Sequence, residues 1–203
     1  MKKLIKFVLC IVLLLGALEI VNLWQDKKSL RDDLVRLHVV ANSDSADDQQ
    51  VKLQVKDAVT AYLQPIMETL PTKEAAMAYL QKNLSVLQEL SDRVLERLGV
   101  KDRAAVTLQP ESFQTRQYDT FSLPSGVYDS LRIEIGDGEG ENWWCVAFPT
   151  LCLPATGDGF QDTAVSAGFS NTLTNTLSGK KGYQIRFFFL DCMGKLENLF
   201  YKG

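Results

Sequence analysis

The sequence predicts an α+β fold: a single domain with a mixed, mostly antiparallel sheet, packed with two long N-terminal helices and one shorter C-terminal helix, after an N-terminal signal or anchor segment. Three observations predict it. A run of apolar and β-branched residues over 34–41 leads directly into a capped amphipathic helix, a stripe of apolar residues at helical spacing fills 72–98, and after Gly99 the pattern changes to short strands separated by glycine-rich turns.

Taken in order, residues 1–24 combine a basic start at Lys2, Lys3 and Lys6 with an unbroken apolar run over 7–18, the length of a secretory h-region, and so imply export. Gly16, Ala17, Leu18 and Glu19 make a poor small-x-small cleavage site and 20–24 prolong the apolar stretch, so a cleaved signal peptide and an uncleaved anchor both stay open. Cys10 follows Phe7, Val8 and Leu9 rather than a small residue, which argues against a lipoprotein signal. The charged stretch 25–33 reads as a linker, and 34–203 as the domain.

In the strand at 34–41, Leu34, Arg36, His38 and Val40 share one face. Asn42, Ser43, Asp44 and Ser45 crowd four turn-forming side chains together, and Ser45 with Asp48 makes an S-x-x-D cap. The helix that follows turns Val51, Val55, Ala58, Val59 and Tyr62 inward and leaves Asp47, Gln50, Gln54 and Asp57 wet. Pro65 and Pro71 bracket its end. A second helix is expected over 72–98, with Met77, Leu80, Leu84, Leu87, Val94 and Leu98 on one face and Gly99 as its stop. Strands are expected at 104–108, 113–121, 130–135 and 143–148, the last two as a hairpin around Gly136, Gly138 and Gly140. A weak helix over 162–177 and a strong strand at 183–190 complete the chain.

At 203 residues with a net charge of −3, the chain is long enough to bury a core without staples. Without residues 1–24 it keeps 19 basic against 24 acidic residues, and no basic run with interleaved aromatics appears, so a nucleic-acid partner is not expected. There is one histidine and no CxxC, so neither zinc nor thioredoxin-type chemistry is expected, and no cofactor or metal is implied. Cys145 and Cys152 flank Pro149 and can pair, worth roughly 2–3 kcal/mol by loop closure. Cys192 is then left as a small buried hydrophobe.

Several motifs have plain structural readings. Any triad or histidine-metal scheme must run through His38, and Arg36 beside it disfavours both an imidazolium and a metal cation, so His38 reads as structural or partner-contacting. Asp44, Asp47, Asp48 and Asp57 lack the ligand order and glycine of a calcium loop. Gly136, Gly138 and Gly140 are interleaved with acids and precede a strand, unlike a phosphate cradle. Leu153 to Gly157 match the LPxTG sorting sequence, but 46 further residues follow where an apolar span and basic tail are required, so the match reads as chance.

Two stretches of specific text carry a resemblance: RLHVVANSDS continuing to DQQVKLQVKDAV, and LPSGVYDSLRIEIGDGEGENWWCVAFPTLC at 123–152. In these the chain closely resembles the stage II sporulation protein R family of endospore-forming bacteria. The resemblance implies a Gram-positive, exported sporulation signal rather than an enzyme. Such a signal activates a membrane-embedded aspartic protease of the sporulation septum, from the space between forespore and mother cell, and the protease then matures a mother-cell sigma factor. The chain itself would be secreted or held at the membrane only through its N-terminal segment. The expected partner-binding residues are Arg36, His38, Asn42, Ser43 and Asp44 from the motif. Trp143 and Trp144 join them because adjacent strand residues put one indole in the core and the other outside. The rival readings are a secreted hydrolase using His38 with Ser43 or Asp44 and Asp57, and a cell-envelope binding module without a signalling role.

Overall fold

The computed structural model describes residues 1–150 and 159–201. Among these the chain is α+β, with a four-stranded mixed sheet and helices on both faces. Helix α1 (Lys2–Asp33) leads into strand β1 (Val35–Val40), followed by helices α2 (Ala46–Met67), α3 (Lys73–Lys82) and α4 (Leu84–Arg97). Strand β2 (Ala104–Phe113), the two-residue pair β3 (Arg116–Gln117) and β4 (Ser122–Leu123), β5 (Gly126–Ile135) and β6 (Asn142–Phe148) come next. Helices α5 (Phe160–Ser166), α6 (Asn171–Leu177) and α7 (Gln184–Phe200) follow.

The sheet order is β2-β5-β1-β6, so β1 lies in the interior and all six of its residues are buried. It runs parallel to β5 and antiparallel to β6. One face of β1 presents Val35, Leu37 and Val39 to a core with Val55, Val59 and Leu63 of α2, Leu80 of α3 and Leu87 and Val94 of α4. The other face meets a second core holding Leu30 of α1, Phe113, Tyr128, Phe160, Leu173 and Leu190. Strand β1 has no wet side, so Arg36 and His38, which alternate with Val35, Leu37 and Val39, are buried polar groups that must find partners inside the fold.

Several sequence expectations are corrected. The expected 72–98 helix breaks at Asn83, whose backbone leaves helical geometry (φ −113°, ψ 16°) while its side-chain amide donates to the Tyr79 carbonyl at 2.8 Å. Asparagine competes for backbone groups in this way, and the stripe then continues in α4. The expected strand at 183–190 is the first half of α7. Its run of Ile, Phe and Leu fits either structure locally, and the apolar spacing that continues to Leu196 and Phe200 decides for helix. The expected 162–177 helix is two, because Ser170 starts a new one by accepting from Leu173 N at 3.0 Å. Strand β2 reaches Phe113, and of the expected 113–121 strand only Phe113, as the end of β2, and the two residues of β3 are extended in a sheet. Strands β5 and β6 do not form a hairpin, since β1 lies between them. Helix α1 continues to Asp33, so 25–33 are helical, with Asp26, Lys27 and Leu30 buried. Cys192 is free and exposed rather than buried. Cys152 and the 153–157 motif lie outside the described residues, so the Cys145–Cys152 pairing stays an expectation.

Candidate functional site

Because β5 and β6 flank β1, the glycine-rich segment joining them must cross the end of β1, and there it meets the turn into α2. The Asn42 carbonyl oxygen Oδ1 accepts from Asp137 N at 2.9 Å, the Ala41 carbonyl accepts from Gly140 N at 2.9 Å, and Asp44 Oδ1 accepts from Glu141 N at 2.7 Å. The fit is close enough that a Cβ on Gly140 would lie 2.3 Å from the Ser43 carbonyl oxygen. Ser45 caps α2, its hydroxyl accepting from Asp48 N at 3.1 Å. The Ser43 hydroxyl, followed by burial working against it and then Asn42 helping, leaves the Asp48 carboxyl below its ordinary value. Lys52, buried on α2, donates to the Glu141 carbonyl at 2.9 Å.

One residue along β6, Asn142 joins this turn to a cleft on the α7 side of the sheet. His38 and Trp144 are register partners on β1 and β6, and their rings stack at 5.6 Å. His38 places Nε2 2.6 Å from Asn142 Oδ1 and Nδ1 3.3 Å from Glu111 Oε2. Arg132, the register partner of His38 on β5, donates to Glu111 at 2.7 Å. Burial alone would raise the Glu111 carboxyl, but the hydrogen bonds from His38 and Arg132 and the His38 charge outweigh it and hold the group at about 2. Arg116 stacks on the Trp144 indole, 3.3 Å from its centre. These residues line a cleft of about 480 Å³, and Tyr201 closes one edge.

Arg36 lies deeper on the same strand face and is fully buried. Its guanidinium donates to the Cys145 carbonyl and to the Tyr118 hydroxyl, both at 3.0 Å, and rests 4.4 Å from the Phe113 ring centre, while Nη1 has no hydrogen-bond partner. A buried side chain offers a partner no surface, so Arg36 supports the cleft from within. Trp143 points to the other sheet face, where Lys56 lies 5.1 Å from its ring. Both indoles are half-buried, so neither is the fully outer contact the alternation suggested.

The structure therefore brings Arg36, His38 and Trp144 together on one face and Asn42, Ser43 and Asp44 together at the strand end. Glu141 and Asn142 link the two groups, and Trp143 stands apart. Sequence reasoning missed Glu111, Arg116, Arg132 and Asn142. Glu111 and Arg132 meet His38 through the β2–β5–β1 register, Asn142 through the β1–β6 pairing and Arg116 from β3, and none of these long-range placements has a local signal. No group of His, Cys, Asp and Glu suited to a metal occurs among the described residues.

Residues 31–157 match the family model described as Stage II sporulation protein R. The chain belongs to the stage II sporulation protein R family. It is also 34% identical over 122 residues to Stage II sporulation protein R of Bacillus subtilis (strain 168), a match covering 60% of this chain and 54% of that protein. The chain thus spans about half the length of the relative it matches. No solved structure matches. The family-matched region includes every described strand, the whole turn and all of the cleft except its Tyr201 edge, whereas α5, α6, α7 and the apolar part of α1 lie outside it.

Proposed function

We propose that the chain is an exported, non-enzymatic sporulation signal that activates a membrane-embedded aspartic protease of the sporulation septum by contact. The activated protease then matures a mother-cell sigma factor. Membership of the stage II sporulation protein R family supports the sporulation role. The apolar helix α1, with a window of mean hydropathy 2.7 and none of that window buried, is consistent with a signal or anchor for export. The observation that carries the non-enzymatic reading is the engagement of the single histidine. A hydrolase would need His38 to take a proton from a nucleophile; Nδ1 faces Glu111 as it would face an orienting carboxylate, but Nε2 meets the Asn142 side-chain oxygen at 2.6 Å rather than a hydroxyl or thiol.

The contact surface is the strip formed by the cleft rim, with Trp144, Arg116 and Arg132, together with Asp44 at the turn. Asn42, Ser43 and His38 hold that strip in shape. A rigid surface of this kind activates a partner by binding its competent arrangement more tightly than its resting one. The test is precursor cleavage in cells that co-express the chain, a candidate protease and the sigma precursor. Trp144→Ala and Asp44→Ala should melt as folded domains and lose cleavage. Normal cleavage by both variants would remove the strip from the interface.

A further inference from the structure

We propose that α7 and the apolar part of α1 form one membrane-seated unit, in which the first half of α7 enters the bilayer interface beside α1 and is covered by lipid. This goes beyond the signalling role, because α7 lies outside the family-matched residues. Ile185, Phe188, Phe189, Leu196, Leu199 and Phe200 fall at three-four spacing along a single face of α7, and all are exposed, Ile185 at 72% and Phe188 at 61%. Soluble surfaces rarely carry a contiguous apolar face of this kind.

The face is held rigidly. Asp191, on the opposite side of α7, accepts from Ser125 N at 2.8 Å, and Gly194 lies so close to the domain that a Cβ there would sit 1.5 Å from the Ser125 carbonyl oxygen. Its level relative to a bilayer is set by α1. Arg186 reaches Glu19 and Asp26, each at 2.7 Å, and Glu19 belongs to the apolar stretch of a continuous helix. Ile185, Phe188 and Phe189, within one turn of Arg186, therefore stand where α1 leaves the hydrocarbon.

The order along α1 agrees with that level: Trp24 is 66% exposed just beyond the apolar stretch, followed by exposed Lys28 and Arg31. An aromatic followed by cations is the sequence found at a membrane–water boundary. At that depth Glu19 is costly alone, and Arg186 supplies its counter-charge. A second copy of the chain would need no such alignment with α1. A lipid surface does, because an interfacial helix seats its apolar face at headgroup level.

The experiment uses the full chain in vesicles of phosphatidylcholine and phosphatidylglycerol, with a fluorophore on Ile185→Cys in a Cys10→Ser, Cys192→Ser background. The reference carries the fluorophore at Ser85→Cys, an exposed site on α4. Native Cys192, exposed on α7, serves as the probe if Ile185→Cys does not reconstitute. The expected result is quenching by spin-labelled lipid and iodide access at least about threefold below the Ser85 reference, unchanged on about tenfold dilution in lipid. Iodide access equal to the reference, without lipid quenching, would overturn the proposal. So would protection that disappears on dilution, because the occupant would then be a second copy.

Discussion

At the residue scale the cleft depends on one carboxylate. Glu111 stands between His38 and Arg132, and its removal leaves two partly buried donors without their acceptor. Glu111→Gln should therefore cost about 1–3 kcal/mol at neutral pH, measured by chemical denaturation. The folded carboxyl is held at about 2, below its ordinary 4.5, so its stabilising effect is complete above the unfolded value. That effect is lost as pH falls from 4.5 toward 2. The gap between parent and Glu111→Gln should therefore narrow in acid, and a gap that widens would contradict the assignment. Arg36 makes the opposite case. Its buried guanidinium has no carboxylate partner among the described residues and one nitrogen without a bond, so Arg36→Met should melt within about 1 kcal/mol of the parent. The motif text singled out both Arg36 and His38. It could not reveal that one is buried support and the other lines a cleft, because that depends on strands 70 to 110 positions away.

At the element scale the β1–α2 unit was legible in sequence, since capping side chains, turn formers and apolar spacing each act over a few residues. Asp44→Ala should cost about 1 kcal/mol for the lost bond to Glu141 N, and a thermal melt beside the cleavage assay separates that cost from a contact role. Helix α7 was not legible from its first eight residues, because a short apolar aromatic run fits a buried strand equally well. Its docking is checked by Gly194→Ala, which forces a methyl against the Ser125 carbonyl and should cost about 2–3 kcal/mol. A melt equal to that of the parent would mean α7 is free to move away from the sheet. The hairpin expectation failed for a topological reason. Nothing in the glycine segment records that β1 inserts between β5 and β6, although Gly140 is where that crossing packs against the Ser43 carbonyl.

At the scale of the whole molecule, the α+β class and the switch from helices to strands followed from periodicity, while sheet order and the cleft required long-range pairing that periodicity does not encode. The result is a domain whose family-matched sheet carries a polar cleft and the turn after β1, with α7 bound to the helix that carries the apolar N-terminal segment. That layout suits a protein that presents a surface while held near a membrane. The measurement that tests this account most directly is cleavage of the sigma precursor with the purified chain alone, beside the same assay with the candidate protease reconstituted in membranes. The account predicts no cleavage by the chain alone, none or little by the protease alone, and full processing when both are present. Cleavage by the chain without the protease, abolished by His38→Gln, would contradict it.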